Sequence, residues 1–208
     1  DTGANIIQLS SALSTSGKTT VDLGDDAAVD KLFFNVDSTA YESSGDLGYT
    51  TVNNFDATNE KDDLGIFYGS DSGISSIKRT GATGDGVQSM TQDRTILEDD
   101  TNLVVTNNPS GSSAFDTVAE AKGIIAQSIN SVEDGADRLA QITYGLDAQT
   151  GNTDAYVIAA NLGSASPTDN LGSDDNFSVA SVAKLVGVDD GTMDISKNAA
   201  IVKTNDLS

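Results

Sequence analysis

The side chains of this 208-residue chain that could do chemistry are its carboxylates. Asp and Glu number 32 against 11 Lys and Arg, and the chain carries a formal net charge of -21. Of the acids 27 are Asp, a bias towards the shorter side chain, which fits tight turns and bonds its own backbone. They gather in five clusters. Asp22, Asp25, Asp26 and Asp30 form the first, and Asp56, Asn59, Glu60, Asp62 and Asp63 the second. Asp147, Asn152 and Asp154 surround Gly151 in the third; Asp169, Asn170, Asp174, Asp175 and Asn176 make the fourth, and Asp189-Asp190 the fifth. Calcium takes about six to eight oxygen ligands in flexible loops, so spaced Asp and Asn in Gly-containing turns suit it. The candidate ligands are Asp25, Asp26, Asp30, Asp56, Asn59, Asp62, Asp63, Asp147, Asn152 and Asp154. The plainer alternative is that these residues only form turns on a solvated acidic surface. Adaptation to high salt is a third explanation, but it should raise Glu alongside Asp.

Composition excludes several other chemistries. With no Cys there is no disulfide, thiolate metal site or cysteine nucleophile, and with no His there is no imidazole base or ligand. A chain this acidic is repelled by nucleic acid and by anionic membranes, whose binding rests on Lys and Arg. A carboxylate pair for glycoside hydrolysis carries no information among 32 acids, and the aromatic platforms of sugar sites are missing a Trp. The Gly81 to Gly86 stretch lacks the Lys of a phosphate loop. The chain is therefore expected not to be an enzyme.

The elements that must position the acids read as short strands between Gly, Asp, Asn, Ser and Thr turns. Strands are expected at 5–9, 19–23, 31–36, 65–68, 102–106, 139–144, 154–160, 179–188 and 199–203. Residues 155–160 are apolar on both faces and read as fully buried. The segment 176–183 could be helical or extended. One helix is expected over residues 117–132. Thr117 and Glu120 make a capping box, and Val118, Ala121, Ile125, Ile129 and Val132 follow as one apolar stripe. The fold class is thus mainly β, a β-sandwich or jelly-roll-like arrangement with one amphipathic helix over a sheet face or edge. One domain spans 1–208, with 1–16 as an exchanged or edge strand and 70–101 as a long loop or interface region. An internal echo joins Asp25-Asp26 with Asp30-Lys31-Leu32-Phe33-Phe34 to Asn59-Glu60 with Asp62-Asp63-Leu64-Gly65-Ile66-Phe67: in both, an acidic turn runs into an aromatic strand.

Two stretches carry a family resemblance. Asn53-Asn54-Phe55-Asp56 with Lys61 to Ile66, and Asp154 to Ile158 with Ala183 to Asp189, resemble turn-and-strand signatures in the C-terminal domains of bacterial RTX-related proteins exported by type I secretion. The resemblance covers about half of the chain and implies a calcium-loaded surface-layer, adhesin or matrix protein, with Asp56, Asp62, Asp63 and Asp154 as ligands. The glycine-aspartate nonapeptides of a calcium β-roll are absent. No apolar run has the length of a membrane span, and a chain that opens on Asp1 reads as a processed product or a fragment, from which an export signal could have been removed. The expectation is a secreted, extracellular or cell-surface structural protein. It would form a homo-oligomer or polymer, a surface layer, filament or biofilm matrix, with calcium neutralising its charge and no membrane insertion. A calcium-dependent adhesin or glycan-binding module, with a cell-surface glycan as partner, is the alternative.

Overall fold

The structure, a computed structural model, describes residues 3–10, 19–25, 27–36, 38–57, 62–68, 87–90, 95–96, 103–106, 115–128, 131–132, 138–146, 150–162, 177–188 and 199–202. It is mainly β with one helix. The strands are β1 (Ile6–Ser10), β2 (Thr20–Asp22), β3 (Lys31–Val36), β4 (Thr50–Asn53), β5 (Asp63–Tyr68), β6 (Val87–Met90), β7 (Thr95–Ile96), β8 (Leu103–Thr106), β9 (Ser131–Val132), β10 (Arg138–Leu146), β11 (Thr153–Asn161), β12 (Ser178–Leu185) and β13 (Ala199–Val202). The helix α1 (Val118–Ser128) lies between β8 and β9.

Two sheets build the body: a four-stranded one in the order β1-β3-β5-β13 and a seven-stranded one in the order β2-β4-β12-β11-β10-β8-β6. From β1 to β5 the chain alternates between them, so β1, β3 and β5 pair in parallel in one and β2 and β4 in parallel in the other. The chain coils although it has no nonapeptide repeat. In the larger sheet the hairpin of β10 and β11, followed by β12, supplies the only antiparallel pairings among its described strands.

Period-two patterning sorts the side chains into two cores. Leu32, Phe34, Leu64 and Ile66 from the smaller sheet meet Ala155, Val157, Ala159, Val182 and Leu185 from the larger one. The opposite face of β11 turns Tyr156, Ile158 and Ala160 towards Val118, Ala121 and Ile125 of α1. Residues 155–160 are therefore buried on both faces, and α1 covers a sheet face. The capping box forms: the Thr117 N–H donates to Glu120 Oε2 at 3.0 Å, and the Glu120 N–H donates to Thr117 Oγ1 at 3.3 Å.

Some boundaries differ from expectation. The helix stops at Ser128, and Val132 sits in β9, paired with Ile96, rather than on the apolar stripe; Ile129 lies outside the described residues. A β-branched residue after Asn130-Ser131 suits a strand better than a fraying last turn with no basic side chain. The segment after residue 177 is extended, because its alternation feeds both cores. Residues 70–101 include β6 and β7, and the rest of that range lies outside the described residues.

On the smaller sheet Phe33 lies across Gly65, its register partner. A Cβ at Gly65 would fall 2.6 Å from Phe33 Cδ1 and 2.9 Å from Cε1, and the ring is buried. Gly65→Ala is expected to cost about 1–3 kcal/mol through overpacking. Chemical denaturation should show the cost shrinking in a Phe33→Leu background; equal costs in both backgrounds would mean that the contact is not the cause.

A carboxylate ladder as candidate functional site

Each strand of the first three in the smaller sheet is preceded by an Asx residue: Asn5 before β1, Asp30 before β3 and Asp62 before β5. The parallel register sets these three side by side. Asp62 Oδ1 accepts the Asp30 N–H at 2.9 Å, and Asp62 Oδ2 accepts the Asp56 N–H at 2.7 Å. Asp30 Oδ1 in turn accepts the Asn5 N–H at 2.8 Å and the Asn5 Nδ2 at 3.0 Å. Backbone bonds run the same way, from Lys31 N–H to the Asn5 carbonyl and from Asp63 N–H to the Asp30 carbonyl. The carboxylates extend the sheet's bonding by one rung, where the chain turns in and its N–H groups would otherwise lack partners.

Asp30, Asp62 and Asp63 are buried and Asp56 is half-buried, so the structure gathers four of the candidates from two sequence clusters. Burial pushes the Asp62 carboxyl above its ordinary value of 3.8, against the lowering effect of the N–H bonds from Asp30 and Asp56; the charges of those two neighbours add to the rise.

The other candidates lie elsewhere. Asp154 is fully buried on β11; its Oδ1 accepts the Gly187 N–H at 2.8 Å and its Oδ2 lies 3.0 Å from Lys184 Nζ. Gly187 has a φ of 74°, which a glycine adopts without strain in the turn that follows β12. Asn152 is exposed, its N–H donating to Thr150 Oγ1 at 3.3 Å, and Asp25 is exposed in the turn after β2. Asp26, Asn59 and Asp147 lie outside the described residues. Among the described residues no three acidic side chains converge as a cation would require.

Sequence reasoning passed over three partners of these acids: Asn5 as the outer rung, Lys184 as the counter-charge of Asp154, and Asn54. Asn54 Nδ2 donates to Asp22 Oδ1 at 2.7 Å, and the Gly24 N–H donates to the same oxygen at 3.1 Å. The Asn54 bond, then the Gly24 bond, hold the Asp22 carboxyl below the usual range. The findable signal was an Asx residue directly ahead of an apolar strand, repeated at every coil.

Comparison with protein-family models, with curated proteins and with solved structures finds no match to this chain. No helix among the described residues is long and apolar enough to cross a membrane.

Proposed function

We propose that this is a non-enzymatic, extracellular structural protein whose copies assemble into a surface layer or filament, with calcium bound by the acidic turns. The observation that carries the reading is the division of its carboxylates. The buried Asp30, Asp62 and Asp154 have oxygens engaged by backbone N–H groups or Lys184, so they hold the fold. Asp25 and Asp46 have exposed side chains in a chain of net charge -21. Copies of such a chain repel one another until counterions intervene, and divalent cations shared between exposed turns would remove that barrier. Asp25 belongs to this set, with Asp26, Asn59 and Asp147 contributing from neighbouring sequence. The ladder carboxylates Asp30 and Asp62 act as structural ties.

Calcium in large excess over its dissociation constant stabilises by about 2.7 kcal/mol per site at a hundredfold excess. At about 2–4 °C per kcal/mol for a chain of this size, Tm should rise by about 5–10 °C. Electron microscopy should show sheets or filaments in calcium that dissolve in chelator. A melting curve indifferent to chelator, together with a monodisperse monomer in concentrated calcium-containing solution, would overturn the reading. Glycan binding by that monomer would favour the adhesin alternative instead.

A further inference from the structure

Strand β1 is the outermost of the smaller sheet, with no strand beyond it among the described residues. Ile7 and Leu9 pack against the first core but are only partly buried, and Ile6 is 60% exposed. Apolar burial thus holds β1 less firmly than β3 or β5, whose Leu32, Phe34, Leu64 and Ile66 lie within that core. The polar bonds of β1 concentrate instead at Asn5, where the chain enters the sheet. The Asn5 N–H and Nδ2 both donate to Asp30 Oδ1, at 2.8 and 3.0 Å, and its carbonyl accepts the Lys31 N–H at 2.9 Å. Asp30 is braced in turn: its N–H donates to Asp62 Oδ1 at 2.9 Å, and its carbonyl accepts the Asp63 N–H at 2.8 Å. Asp62 Oδ2 carries the series on to the Asp56 N–H at 2.7 Å.

Burying a carboxylate costs free energy, and Asp30 is buried. What it supplies is a pair of charge-assisted bonds, about twice as strong as neutral ones, on the residue that leads into the first strand. Hydrogen bonds weaken steeply with distance, whereas apolar attraction is non-directional and follows the area covered. A bond lost over a short extension resists a larger force for the same free energy. Direction matters as well. Strands β1, β3, β5 and β13 are parallel, so a pull on the chain before Asn5 draws β1 from its N-terminal end. Drawn along its axis, β1 loads its five register pairs with β3 together; drawn sideways, it opens them one at a time, beginning beside Asn5. In both directions the Asn5 rung carries load from the outset.

We propose that Asn5, Asp30 and Asp62 form a tension clamp, which fastens the N-terminal strand to the two strands behind it when the chain is pulled. The inference rests on the structural-protein reading for its purpose, since copies joined in a layer or filament transmit force through their chains. Its test is made on single molecules without calcium, so the clamp and the assembly reading fail separately.

The chain has no Cys, so attachment points can be placed singly. Gly3→Cys, where a Cβ meets no atom within 4 Å, and Val29→Cys, at an exposed position, put both handles at the N-terminal ends of β1 and β3. Pulling between them opens the β1/β3 pairing from Asn5. Asp46→Cys, also exposed, with a cysteine appended after Ser208 bypasses β1 and is the control pair. Each lost bond to a charged acceptor is taken at the low end of its usual range. At constant force Asn5→Ala, which removes the Nδ2 bond, should then shorten the lifetime of the Gly3–Val29 linkage about tenfold. Asp30→Ala, which removes both bonds, should shorten it about a hundredfold. The control lifetime should stay nearly unchanged in both. Should Asp30→Ala not fold, Asn5→Ala carries the test alone. An unchanged Gly3–Val29 lifetime in either folded variant would overturn the clamp. Equal shortening in the control pair would show a general loss of stability and overturn it too.

Discussion

Asp62→Ala is expected to lower the stability of the fold by about 2–6 kcal/mol, since each of two N–H donors left without an acceptor costs about 1–3 kcal/mol. The donors are the Asp30 N–H, which is buried, and the Asp56 N–H, which is partly so. At about 2–4 °C per kcal/mol, Tm should fall by about 10 °C, with or without calcium. That independence matters. If Asp62 were chiefly a cation ligand, the variant would match the wild type in chelator and differ only when calcium is added. The pH dependence gives a second check. The unfolded carboxyl titrates near the ordinary value of 3.8 and the folded one higher, so between those values the folded state holds the extra proton. Asp62 therefore contributes a loss of stability as pH rises through that window, and a gain as pH falls. Asp62→Asn cannot titrate, so the wild type's Tm advantage over it should widen as pH is lowered towards 3.8. An advantage that narrows instead would show that the N–H bonds outweigh burial.

The other large effect is expected at Tyr156. Its buried ring meets Tyr49 edge-on at 5.3 Å and Phe115 edge-on at 5.5 Å between centroids, on the sheet face that α1 covers. Truncating a large buried aromatic side chain costs about 3–5 kcal/mol, and each edge-on pair adds about 0.5–1.5 kcal/mol beyond the area buried. Tyr156→Ala should thus lower Tm by more than about 10 °C. It should also speed amide exchange in α1 and β11 before the rest of the molecule. Tyr49→Phe provides the contrast: it keeps a ring in place and removes only the hydroxyl, which donates to the Phe115 carbonyl at 2.7 Å. Burial raises the Tyr49 hydroxyl well above its ordinary value, so it stays a donor over the whole working range. That variant should cost about 1–3 kcal/mol. Equal losses from the two substitutions would mean that the hydroxyl, not the ring cluster, anchors the helix layer.

Much of this architecture was legible in the chain. Residues 155–160 are apolar at every position, and the structure feeds odd and even members to different cores. The echo between residues 30–34 and 62–66 is the register itself: Lys31 pairs with Asp63, Leu32 with Leu64, Phe33 with Gly65 and Phe34 with Ile66. What the chain concealed is partnership. Period-two alternation says which face a side chain takes but not which strand lies alongside, so the parallel coiling was not visible. β4, with the sequence Thr-Thr-Val-Asn, is too short and polar to distinguish from a turn, and it acquires its strand character from β2 and β12 on either side. The acids were ambiguous for a physical reason as well. An Asp ahead of a strand has the same composition signature whether its oxygens face a cation or a backbone N–H, and only the register of Asn5, Asp30 and Asp62 separates the two.

The last described strand has a bearing on how the molecule comes into being. β13 closes the smaller sheet by laying Ala199 beside Leu64, and β12 lays Ala183 beside Thr50 in the larger one. Neither sheet can be completed locally, because the strands that fill it are made long after their partners. Closing such long loops costs entropy before any contact repays it, which slows folding. A chain emerging from its N-terminus forward holds β1 to β5 as an unfinished stack until the C-terminal quarter arrives.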